Sequence, residues 1–162
     1  MTAPDVPVTA TTFPFADGQY RFWLRLKQVE ELERLCGVHD REGRLHPKSA
    51  ITIFDSIAAS FESDGAGGMT WTGFGGHLAR EANEVLRLGL IGGNLGIVAD
   101  EEIEVGPRRA IELLELYGYP KRPMKEVAAH AFRVLHAMIF GDPEAMQREA
   151  EAKAASSAGT GG

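Results

Sequence analysis

Asp17-Gly18-Gln19-Tyr20-Arg21-Phe22-Trp23-Leu24-Arg25-Leu26 runs into Val29-Glu30-Glu31-Leu32-Glu33. The change of period at that junction decides the fold class. From Gln19 to Lys27 the residues alternate. Tyr20, Phe22, Leu24 and Leu26 share one face, and Arg21, Trp23, Arg25 and Lys27 share the other. Period 2 over this length predicts a half-buried strand. Asp17-Gly18 just before it is a strong hairpin signal, because Gly tolerates positive φ. Val8 to Phe13, rich in β-branched residues, supplies the partner. The expectation is a hairpin of 8–14 paired with 19–26. From Val29 the period becomes helical: Val29, Leu32 and Leu35 fall on one side with acids between, and Gly37 stops the run.

Outward from there the pattern is helical. Residues 38–47 are polar and end in Pro47, which reads as a loop. Ile51, Phe54, Ile57, Ala58 and Phe61 mark a helix over 48–61, and 63–68 is a flexible break. A third helix is expected over 72–89, with Phe74, Leu78, Ala82, Val85 and Leu86 on its apolar face. Residues 91–106, with four glycines and Asp100-Glu101-Glu102, read as helix termination followed by a solvated loop. Pro107 opens a fourth helix that Gly118 closes. Met124, Val127, Ala131, Val134, Leu135, Met138 and Ile139 give the fifth and longest stripe, over 123–140. The fold class is therefore α+β, helix dominant: an N-terminal β-hairpin followed by five helices. Residues 1–7 form a flexible arm, 8–141 one globular domain, and 142–162 a mostly disordered tail with nascent helix over 142–154. A lone hairpin is marginal in water, so its Tyr20/Phe22 face must lie on a helix or pair with another chain.

Composition narrows the function. The chain has 162 residues, 44% hydrophobic and 25% charged, the balance of an ordinary globular domain. Seventeen basic against twenty-three acidic residues give −6. That field opposes nonspecific nucleic-acid binding. One cysteine, Cys36, excludes an internal disulfide. No run reaches the ~18 apolar residues of a membrane span, and the first residues lack signal-peptide character. The expected address is cytoplasmic.

Each candidate for chemistry has a plainer reading. Gly92-Gly93-Asn94-Leu95-Gly96 lacks the preceding strand and following helix of a phosphate loop. It reads as a helix end. His39, His46, His77, His130 and His136 offer no converging ligand set, so no metal is expected. Cys36 reads as a small hydrophobe, without a base and orienting group. Asp100, Glu101, Glu102 and Glu104 lack the spacing of a calcium loop. Arg108 with Arg109, and Lys121 with Arg122 and Lys125, open two helices, where cations oppose the dipole. They read as two solvated or partner-facing patches. No cofactor, catalytic residue or enzymatic activity is expected. Trp23 is the informative oddity. It stands with Arg21 and Arg25 on the face that ought to be wet; its plainer reading is that the helical layer or the N-terminal arm covers it, and its functional one is a binding anchor, since Trp beside Arg is hot-spot composition. These three residues are the expected partner-binding surface, beside the open strand edges of a hairpin taken as the only sheet.

Three stretches together resemble a known family. They are the strand-to-helix junction quoted above, Val85-Leu86-Arg87-Leu88-Gly89-Leu90-Ile91-Gly92-Gly93, and the final helix ending Ala137-Met138-Ile139-Phe140-Gly141. In this order and spacing they resemble the gene transfer agent family of small phage-tail proteins, described as tail-tube proteins or tail-assembly chaperones. The resemblance covers 17–141. The chain differs from the family pattern in its 38–50 loop, its 63–68 break and its N-terminal arm. What the resemblance implies is a non-enzymatic role in building a phage-like tail. Its partners there are the tape-measure or tail-tube protein, with a homo-oligomer as the further option. A chaperone or adaptor is expected ahead of a structural tube subunit, which would place the chain in the virion tail. An uncharacterised enzyme or another binding domain is the remaining alternative.

Overall fold

A computed structural model describes residues 6–73, 75–76 and 79–159. Helix accounts for 52% and strand for 18% of the structure, an α+β fold in which helix dominates. Two of the five apolar positions of the third helix, Phe74 and Leu78, lie outside the described residues. So do His77, most of the N-terminal arm and the last three residues of the tail.

The hairpin forms from β1 (Thr11–Phe15) and β2 (Gly18–Phe22), antiparallel, with Phe13 opposite Tyr20 and Phe15 opposite Gly18. Both strands are shorter than expected. The positive φ of the turn falls on Ala16 (55°), not on Gly18. Gly18 is needed for another reason: a Cβ there would stand 2.2 Å from the Ile97 carbonyl oxygen. Period 2 stops at Phe22. The Trp23 amide donates to the Gly89 carbonyl at 2.9 Å instead of continuing the strand. Leu26, expected on the buried face, opens helix α1 (Leu26–Leu35) and is 75% exposed.

The hairpin is not the only sheet. Residues 91–106, read as a loop, contain β7 (Leu95–Val98) and β8 (Glu101–Ile103). These pair antiparallel around Ala99 and Asp100, both at positive φ (50° and 65°), a turn geometry that matches strand twist. The four-stranded order is β1-β2-β7-β8. Strand β2 is therefore interior, and the open edges belong to β1 and β8. Two small hairpins occupy the other supposed loops: β3 (Val38–His39) with β4 (Leu45–His46), and β5 (Phe61–Ser63) with β6 (Met69–Trp71).

Helices α2 (Ala50–Ala58), α3 (Ala79–Gly93), α4 (Pro107–Tyr117) and α5 (Met124–Phe140) build the layer on that sheet. Helix α3 is central and packs on β2, α1, α4 and α5. It runs past the expected end at Gly89 to Gly93. Gly92 and Gly93 are not its stop; they admit the β2 chain. A Cβ at either would stand 1.9 Å from the Trp23 or Arg21 carbonyl oxygen. Asn94, at φ 48°, supplies the left-handed end, and its side chain accepts the Val105 amide. Phe13 stacks on Phe22 with centroids 4.4 Å apart, above a core of Val85, Leu86, Val134 and Leu135. Buried Glu81 pairs with Lys48, tying the α1–α2 link to α3. Where nascent helix is expected over 142–154, the tail forms helix α6 (Pro143–Gly159), which runs past that expected end and has Ala145 as its one buried residue.

Candidate functional site

Arg21, Trp23 and Arg25 come together as the sequence suggests, but two of them have work inside the fold. Arg21 Nε donates to the Gly93 carbonyl and Arg25 Nε to the Gly92 carbonyl, each at 2.9 Å. Cations on the last carbonyls of α3 complement its dipole. The Arg25 guanidinium also lies 4.0 Å over the Trp23 ring, and the indole donates to Thr9 Oγ1 at 3.1 Å. Trp23 is half-buried under that arrangement. The surface left to a partner is one edge of the indole and part of two guanidinium groups.

The other candidates disperse. Arg109 reaches across to Asp17 at 3.0 Å, next to the Tyr20 hydroxyl that also donates to Asp17. The Tyr20 bond, with Arg109 beside it, holds the Asp17 carboxyl below its usual range. Arg108 pairs with Glu112 and Arg122 with Glu126. His39 is exposed, His46 bonds Asp40, and His130 stacks on Phe13. Burial pushes the His130 pKa down. Burial pushes the Cys36 thiol up to about 11, away from the thiolate that a nucleophile needs. Glu101 and Glu102 stand on edge strand β8 rather than on a loop. Among the described residues no cluster of three or more His, Cys, Asp or Glu could hold a metal, and no helix is long and apolar enough to cross a membrane.

What the structure adds is an aromatic groove. Helix α5 carries Phe132, His136 and Phe140 at i, i+4 and i+8, off its own core stripe. Phe54 from α2 stacks on Phe132 at 5.6 Å and meets Phe140 at 5.9 Å. Phe61 from β5 meets Phe132 at 5.8 Å and Trp71 from β6 at 5.3 Å. His136 closes the series, 4.9 Å from Phe140. Between α5, the β5–β6 hairpin and the first turn of α6 lies an open groove of about 510 Å³. Met69 on its wall is 52% exposed; Phe140, at the end of α5 and outside the lining, is 58% exposed. The sequence held a signal for it: Phe132 and Phe140 fall outside the apolar stripe at helical spacing. The stripe itself drew the attention, and the hairpin that forms the opposite wall was read as a break.

Against known proteins, the chain matches no family model, no curated protein and no solved structure.

Proposed function

We propose that this chain is a non-enzymatic tail-morphogenesis protein of the gene transfer agent type. In this reading it is a chaperone or adaptor that holds a tape-measure or tail-tube partner before assembly. The observation that carries the reading is the open aromatic groove on the helical layer. A long amphipathic chain, prone to aggregate, is kept in solution by a small acidic protein that covers its apolar face. Its lining comes from α5, the β5–β6 hairpin and the start of α6. The Trp23 edge, with Arg21 and Arg25, is the second contact surface of the proposal.

A structural tube subunit is the competing role. Rings that stack need extended β structure, and here the largest sheet among the described residues has four strands of three to five residues. That favours the chaperone. Size exclusion with light scattering, followed by negative-stain microscopy of the pure protein, tests the ranking. A small soluble oligomer at high concentration is expected. Regular rings or tubes would overturn the chaperone and install the tube subunit.

A further inference from the structure

We infer that the side-by-side guanidinium groups of Arg21 and Arg25, next to Trp23, seat the carboxylates of an acidic segment of a partner protein. This deepens the second contact surface of the reading above, and rests on that reading for the partner being a protein.

The fold fixes both arginines from within. Their Nε atoms donate to the carbonyls of Gly93 and Gly92, successive residues at the end of α3. Two guanidinium groups on neighbouring carbonyls stand side by side, and each keeps Nη donors beyond its Nε bond. Trp23 holds Arg25 from a second side, with the guanidinium 4.0 Å over its ring. The indole N–H is spent on Thr9 Oγ1. Arg25 is exposed and Arg21 half-buried, so the donors are positioned before any partner arrives.

Charge sets the sign of the occupant. Among the described residues neither Arg21 nor Arg25 makes an ion pair, whereas Arg34, Arg87, Arg109 and Arg122 each hold a carboxylate. Glu31 of α1 and Glu84 of α3 are taken by Arg34 and Arg87. The end of a helix carries about half a negative elementary charge, which offsets only a fraction of two cations. Burial lowers the Arg21 pKa, and the Arg25 charge lowers it further. A carboxylate brought to this pair relieves that repulsion and meets the planar fork that arginine offers it. A phosphate would meet the same donors. The surroundings favour the peptide: the chain is at −6, and β8, two strands from β2, carries Glu101 and Glu102. A nucleic-acid backbone laid across this side would run into those acids. A short acidic segment needs only the arginine pair and the open edge of Trp23.

The test uses short synthetic peptides with one set of apolar residues and either Asp/Glu or Asn/Gln between them. Inorganic phosphate and a single-stranded oligonucleotide serve as rival ligands. Trp23 reports binding by fluorescence in a Trp71→Phe background, and calorimetry on the natural chain checks it. The Asp/Glu peptide is expected to bind, more weakly as salt rises, and the Asn/Gln peptide is not. Arg25→Gln, at an exposed position, is expected to weaken binding about tenfold or more. Arg25→Lys, which keeps the charge without the fork, is expected to weaken it less. Equal binding of the two peptides would overturn the inference, as would no binding at all. Tighter binding of phosphate or of the oligonucleotide would overturn it in favour of a phosphate ligand. An oligomer of the natural chain that Arg25→Gln dissolves would give the site to a second copy instead. Capture of a tail protein undiminished by Arg25→Gln, with peptides that fail to bind, would remove this inference and leave the proposed function standing. Binding of the Asp/Glu peptide without capture of any tail protein would support the site and count against the proposed function.

Discussion

Gly92 and Gly93 show how much one hydrogen in place of a methyl decides here. The Trp23 and Arg21 carbonyls occupy the space a Cβ would fill, and Arg25 and Arg21 then close on the carbonyls of the same two glycines. Gly92→Ala must push β2 off α3. We expect a loss of about 1–3 kcal/mol, the range of overpacked cores, read from urea midpoints at unchanged slope. Leu24→Ala, in the core, should cost about 2–5 kcal/mol. Trp23→Ala removes a half-buried ring and a cation–π contact, and should cost clearly less, about 1–2 kcal/mol. If Trp23→Ala melts the protein as badly as Leu24→Ala, the indole is core and its edge is no contact surface. His130 carries a pH prediction. Burial against Phe13 and Phe15 lowers its pKa in the fold. The unfolded chain therefore takes up the proton first. The stability from a neutral His130 is present above the ordinary histidine value, about 6.5, and is lost as pH falls below it. Thermal melts at pH 7.5 and 5.5 should differ less for His130→Gln than for the natural chain. An unchanged difference would place the acid sensitivity elsewhere.

At the scale of elements, helix α6 and the cap before it make opposite predictions. Asp142 accepts from Thr11 Oγ1 at 2.8 Å, and its other oxygen accepts the Ala145 amide at the start of α6. Asp142→Ala leaves a buried threonine hydroxyl without that partner and should cost about 1–3 kcal/mol. Truncation after Gln147 removes nothing buried and should leave the melting temperature within a degree or two, about what a surface change gives. A large drop would mean that α6 packs more firmly than Ala145 alone. The same scale shows what could be read ahead. Tyr20, Phe22 and Leu24 were legible as one buried face because a strand with one wet side alternates cleanly. The stripe of α5 was legible for the matching reason; on α2 it was misplaced, since Ile51 is 58% exposed, Ile53 is buried and Phe61 stands on β5. Strands β7 and β8 were not. Gly96 sits mid-strand under the Tyr20 ring, where a Cβ would stand 2.7 Å from Cε1, so the sequence shows a glycine where a strand ordinarily shows a side chain. The acids of β8 belong to an edge that stays wet, which masks any alternation. The groove joins α5, a short hairpin and the start of α6. Only the tertiary fold brings Phe54 and Phe61 each within 6 Å of Phe132.

For the whole molecule, charge and apolar surface are separated in a way that suits a carrier. The chain is acidic in total, while one aromatic face lies on the helical side, its wall tied to edge strand β1 through Asp142 and Thr11. The central claim is that this face holds a tail protein of a phage-like assembly. Co-expression with tape-measure and tail-tube proteins of a gene transfer agent, followed by size exclusion with light scattering, tests that claim most directly. The account predicts a soluble complex with one of those partners, which Phe140→Ala weakens without changing the melting temperature of the free chain. Elution of the chain alone in the presence of both partners would contradict it.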